Sequence, residues 1–106
     1  MTKTYNKLVR DLIPDIIEAS GAKCKTKILS NDEYLEMIDK KLDEELLEYH
    51  ADQNIEELAD LLELIYAAAI ARGYTIKELE EVRAMKAEKR GGFSKKIFLI
   101  ETIDND

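Results

Sequence analysis

The sequence predicts an all-α fold, an antiparallel helical bundle of about four helices. Three observations carry that expectation. The 106 residues include only four Gly and one Pro and are rich in Glu, Leu, Lys and Ala, the residues that lose least on entering a helix. Apolar positions recur at helical spacing through the middle of the chain. Ser30 with Glu33, Asn54 with Glu57 and Thr75 with Glu78 each pair a capping side chain with an acid three residues on, the mark of a helix N-terminus. The length suits one domain, and no repeat, low-complexity tract or linker divides residues 1–106.

The first helix is expected over residues 14–20, with Pro14 in its first turn, Gly21 as its stop, and Leu12, Ile13, Ile16 and Ile17 on its buried side. Residues 22–28 (AKCKTKI) alternate small or apolar side chains with lysines, the period of a half-buried strand, and residues 96–102 (KIFLIET) are also strand-like. These two can pair as a minor two-stranded β element, marginal without a helix to pack on. The second helix begins at Ser30, with Leu35, Ile38, Leu42, Leu46 and Tyr49 as its apolar stripe. A third helix is expected over residues 54–72, ending at Gly73. It is apolar on nearly every side from Leu61 onward, so it is predicted to be the central, most buried helix. The fourth starts at Thr75, turns Ile76, Leu79, Val82 and Met85 inward, and stops at Gly91 and Gly92.

With 45% hydrophobic and 37% charged residues, the composition is that of a compact, water-soluble protein. No apolar run approaches the ~20 residues that span a bilayer. The polar opening MTKTYNK lacks a signal-peptide core, so a cytoplasmic location is expected. The single cysteine, Cys24, excludes an intramolecular disulfide and a thiolate metal cluster. The net charge of −7 is unevenly spread: +3 over residues 1–29, −11 over 30–63 and +1 over 64–106. An acidic total argues against nucleic-acid binding, which draws on clustered Lys and Arg. Thirteen carboxylates in one stretch point instead to a cation.

The acids fall in pairs. Glu45 and Glu48 on the second helix, and Glu57 and Asp60 on the third, are each at i, i+3 and so project about one turn apart on one side. Glu45 and Glu48 flank the apolar stripe, whereas Glu44 points almost directly away from it. Four carboxylates converging at the edge of a core repel unless protonated or bridged by a cation. Oxygen ligands favour Mg²⁺, with Mn²⁺ or Ca²⁺ as alternatives, over zinc. Metal-ligand candidates are therefore Glu45, Glu48, Glu57 and Asp60, with Glu44 or Glu45 as general base. On spacing alone the same pairs also suit a solvated helix face.

At these residues the sequence resembles the all-α nucleoside triphosphate pyrophosphohydrolases, the MazG-like and phosphoribosyl-ATP pyrophosphohydrolase-like superfamily. Its E-E-x-x-E and E-x-x-D signature is met by Glu44, Glu45, Glu48, Glu57 and Asp60. The opening Tyr5-Asn6-Lys7-Leu8-Val9-Arg10-Asp11 with Ile13-Pro14, and the ending Lys86, Lys89-Arg90-Gly91-Gly92-Phe93, extend the likeness to the small phosphoribosyl-ATP pyrophosphohydrolase-like branch along most of the chain. Eight residues separate Glu48 from Glu57, fewer than is usual between the two motif halves. The resemblance implies Mg²⁺-dependent hydrolysis of a nucleotide between its α and β phosphates, giving a monophosphate and pyrophosphate. It also implies a homodimer or homotetramer assembled through the helical core. A noncatalytic nucleotide- or metal-binding helical module and a purely structural acidic oligomer are the alternatives.

Six basic residues against one acid lie between positions 82 and 100. Lys86, Lys89 and Arg90 share one side of the fourth helix and are candidate phosphate ligands, or else cations that suit a helix C-terminus. Lys7 and Arg10 are lesser candidates for the same task. His50 reads as a surface or capping residue, Cys24 as a small apolar filler, and Tyr5, Tyr66 and Phe93 as packing residues.

Overall fold

The computed structural model describes residues 1–104. It contains four helices in the expected places: α1 (Ile13–Ala19), α2 (Asn31–Asp52), α3 (Ile55–Ala71) and α4 (Ile76–Arg90). The fold is all-α, and no strand is present among the described residues. Residues 22–28 and 96–102 form no strand and no ladder, and Lys96 has a left-handed φ of +60°, which corrects the expected β element. Alternation records which side of a segment prefers burial; without a partner in register it makes no ladder.

Local chemistry sets the helix ends. Ser30 Oγ accepts from the Glu33 N–H at 3.2 Å while the Glu33 carboxylate accepts from the Ser30 N–H at 3.2 Å. Thr75 and Glu78 repeat this reciprocal capping at 3.0 and 3.3 Å, and Asn54 Oδ1 accepts from the Glu57 N–H at 3.0 Å. Gln53 closes α2 in a left-handed conformation, its N–H donating to the Tyr49 carbonyl at 2.7 Å. The chain therefore reverses between α2 and α3 through residues 53 and 54 alone, and the two helices fold into an antiparallel hairpin. That reversal brings the acidic pairs of the two helices together.

The hairpin is the packed part of the chain. α4 leans on α3 and does not reach α2, and α1 packs on no other helix. Ile38 is the one apolar side chain buried among the described residues, at 1% exposure. Several expected core positions are exposed: Leu12 and Ile16 around α1, Leu46 on α2, and Ile76, Val82 and Met85 on α4. Nor is α3 the most buried helix, since none of its residues is buried and Leu58, Leu62, Ile65 and Ile70 face outward. The physical reason is that α2 covers one side of α3, whereas the apolar surface of α3 wraps most of the way round it. Compactness is likewise corrected. The radius of gyration is 19.0 Å and the extents 68 × 32 × 23 Å, against about 13 Å for a compact domain of this length.

Candidate functional site

The site lies where α2 crosses the first turns of α3. Glu45 is a buried carboxylate, 7% exposed, on a helix whose neighbouring Leu46 and Leu47 face solvent. That inversion of the usual order marks a position held for something other than packing. Carboxylate oxygens of Glu44, Glu45 and Glu48 lie within 4.8 Å of one another, and so do those of Glu45, Glu57 and Asp60. Glu45 belongs to both triads. The four expected ligands are thus brought together, as two groups hinged on one residue.

Two of these oxygens, Glu45 Oε2 and Glu57 Oε2, are shut off from water and have no hydrogen-bond partner. An enclosed acceptor left unpaired is costly, the more so when charged, so the arrangement suits a bridging cation. Oxygens on opposite sides of one ion stand about 4.2 Å apart around Mg²⁺ and about 4.8 Å around Ca²⁺, so oxygens within 4.8 Å of one another are close enough to share one ion. The donor set is all carboxylate, as hard divalent cations require.

Electrostatics separates the acids. Burial pushes the proton affinity of Glu45 above the ordinary carboxylate range, and the adjacent Glu48 adds to the shift. Burial likewise raises that of Glu57, followed by repulsion from Asp52, Asp60 and Glu45. Glu44 moves the other way: its hydrogen bond from Lys7 holds it below the ordinary range, and the same bond raises the ammonium pKa of Lys7.

Of the expected phosphate ligands, Lys7 and Arg10, the lesser candidates, are the ones found at the site. Lys7 Nζ donates to Glu44 Oε1 at 3.0 Å, and Arg10 Nη2 to Asp60 Oδ1 at 2.6 Å. The segment before α1 therefore lies across both helices of the hairpin and covers Glu44. This explains why Glu44 is half-buried although it points away from the apolar stripe. Lys86, Lys89 and Arg90 are exposed on α4, which does not touch α2, and form no ion pair among the described residues. Within one chain they do not join the carboxylates of α2.

Lys41 was not singled out by sequence. Its side chain is 16% exposed, and its ammonium lies 3.3 Å from Glu44 Oε2 and 3.5 Å from Glu45 Oε1. The signal was available, since Lys41 stands three and four residues before the two acids on one helix. By holding Glu45 Oε1, it leaves Oε2 as the free oxygen. The cleft beside it, between the N-terminal segment and α2, has a volume of about 60 Å³, against the ~300–1,000 Å³ of a typical small-molecule pocket. His50 is exposed, Cys24 is half-buried with its thiol 3.9 Å from the Pro14 carbonyl, and Phe93 is exposed. Tyr5 carries the Lys3 and Lys7 ammonium groups 5.1 and 5.8 Å from its ring centre.

No helix among the described residues is long and apolar enough to cross a membrane. In comparisons with known proteins, no family model matches the chain and no solved structure does. A stretch of 45 residues, 42% of the chain, is 51% identical to an uncharacterized protein of Mycolicibacterium smegmatis. That match spans just under half of the relative, 46% of its length.

Proposed function

We propose that this protein is a Mg²⁺-dependent nucleoside triphosphate pyrophosphohydrolase of the MazG-like, phosphoribosyl-ATP pyrophosphohydrolase-like kind, cleaving between the α and β phosphates. The observation that carries the reading is the pair of buried, unpartnered oxygens, Glu45 Oε2 and Glu57 Oε2, in two carboxylate triads that share Glu45. Glu45, Glu48, Glu57 and Asp60 would hold Mg²⁺, or Mn²⁺ in its place. When bound, the cation neutralises phosphate charge and lowers the pKa of a coordinated water.

The remaining chemistry belongs to the chain. Glu44, kept ionised between Lys7 and Lys41, accepts a hydrogen bond from the attacking water and orients it. Of the two candidate bases, Glu45 has the higher proton affinity and Glu44 the lower. The water oxygen attacks the α phosphorus, the α–β bridging oxygen leaves with pyrophosphate, and a proton passes to carboxylate. Lys7 and Arg10, already aimed at the cluster, would turn to incoming phosphate oxygens, with Lys41 remaining beside Glu44 to keep it ionised.

The enzyme is proposed to work in the cytoplasm as a homodimer or homotetramer, without nucleic acid. The outward apolar side chains of α3 support assembly, because one buried Ile does little against the chain entropy of about 1–2 kcal/mol per ordered residue. The test is pyrophosphate release from a panel of nucleotides. Release should require Mg²⁺ and be lost in Glu48→Gln and Asp60→Asn, with helix content retained by circular dichroism. Nucleotide binding without release from any of the panel would replace the enzyme with a noncatalytic binding module.

A further inference from the structure

After α4 the chain carries a patch of apolar side chains that nothing in the same chain meets. Phe93, Ile97, Phe98, Leu99, Ile100 and Ile103 are 73–97% exposed. Single exposed hydrophobics are ordinary; six within eleven residues are not. On the hairpin, Leu58, Leu62 and Ile65 recur along one side of α3 and are uncovered, as is Leu47 on α2.

Area says how much is left to cover. The accessible surface is 9978 Å², whereas a folded protein of 12.2 kDa exposes about 6,100 Å². The excess, about 3,900 Å² per chain, is more than one partner's share of a large obligate interface, which buries roughly 2,000–5,000 Å² over both partners. Charge says what the cover is. The basic stretch between positions 82 and 100 and the −11 of residues 30–63 are complementary, yet α4 does not carry the first to the α2 acids of its own chain. The cleft beside Glu44, about 60 Å³, is also too small for a nucleotide.

We propose that residues 93–103 form an arm that packs on the α2–α3 face of a second copy of this chain, reciprocally, and that Lys89 and Arg90 at its root complete the second copy's carboxylate site as phosphate ligands. Gly91, with φ of +82°, is the joint between α4 and the arm. Twofold exchange covers both apolar surfaces at once and gives each site basic residues from the other copy. The phosphate-ligand half rests on the pyrophosphohydrolase reading; the arm half does not.

The arm is tested with Phe98→Asp/Ile100→Asp by sedimentation velocity and thermal melting. Both side chains face solvent in the single chain, so their substitution is close to silent unless a second copy covers them. The full chain should sediment as an assembly and the variant as single chains that melt lower. The milder Phe98→Ala/Ile100→Ala pair should raise the dissociation constant at unchanged helix content. A full chain that sediments singly, or variants that assemble like the wild type, would overturn the arm.

The shared site is tested by calorimetric binding of pyrophosphate with Mg²⁺. Glu48→Gln/Asp60→Asn chains and Lys89→Ala/Arg90→Ala chains should each bind none. Mixed in equal amounts, they should recover about a quarter of the wild-type sites, since half the dimers are mixed and each has one intact site. No recovery, or no binding by the wild type, would overturn the shared site. Assembly through the arm without nucleotide turnover would defeat only the enzymatic reading; turnover in a chain whose arm variants still assemble would defeat only the arm.

Discussion

Glu45→Gln is expected to make the metal-free protein more stable while abolishing its response to Mg²⁺. The substitution keeps shape and removes one buried charge. Glu45 lies within 4.8 Å of carboxylate oxygens on Glu44, Glu48, Glu57 and Asp60, and each such repulsion is worth about 3.5 kcal/mol at an effective dielectric constant near 20. Lys7 and Arg10 offset Glu44 and Asp60, and Lys41 at 3.5 Å offsets a further repulsion. What remains is about one uncompensated repulsion, reduced by the solvent exposure of Glu48 to a net gain of about 2 kcal/mol. For a chain this size that is a rise of roughly 10 °C in melting temperature, compared at fixed protein concentration. The assay is thermal unfolding by circular dichroism at neutral pH, in chelator and with excess Mg²⁺. Wild type should gain about 2.7 kcal/mol at a hundredfold excess of Mg²⁺ over its dissociation constant, and the variant nothing. A variant that melts below wild type in chelator would show that Glu45 is not a net source of repulsion, and one that gains as much from Mg²⁺ would show that Glu45 does not hold the ion.

The same residue sets a pH dependence. The folded-state pKa of Glu45 is raised above its ordinary 4.5, so the folded protein binds that proton more tightly than the unfolded one, and metal-free stability falls as pH rises through the window above 4.5. The advantage of Glu45→Gln should therefore shrink toward zero as pH is lowered through that window, in melts at a series of pH values. Lys41→Met, which removes the ammonium between Glu44 and Glu45, should lower the melting temperature in chelator more than in Mg²⁺. Thr75→Ala, which deletes the cap of α4, should cost about 1 kcal/mol in denaturant titration and leave Mg²⁺ binding unchanged.

Features of short sequence range were legible. The caps at Ser30, Asn54 and Thr75 and the pairs Glu45 with Glu48 and Glu57 with Asp60 are three-residue patterns, and a helix converts such spacing directly into position. Bringing the pairs together needed only the tight reversal at Gln53. Contacts across the chain were less legible. Lys7 and Arg10 meet acids 37 and 50 residues away, and no local pattern encodes which distant cation reaches an acidic cluster. The burial expected of α3 and of the strand-like residues 96–102 did not appear within one chain. Hydrophobic periodicity reports that a face is to be covered and is silent on which chain covers it. Lys41 is the exception at short range: its i, i+3 and i, i+4 spacing toward Glu44 and Glu45 is a local pattern that encodes its contacts with both acids.

Attack of water on the α phosphorus of a nucleotide, directed by the carboxylate cluster, is the step on which the proposed function stands. Its most direct test is hydrolysis in heavy-oxygen water with Mg²⁺, the products resolved by phosphorus NMR and mass spectrometry. The expected result is one heavy oxygen in the nucleoside monophosphate, unlabelled pyrophosphate and no orthophosphate. Heavy oxygen in pyrophosphate or orthophosphate would place the attack on another phosphorus, and no hydrolysis of any nucleotide would rule the activity out.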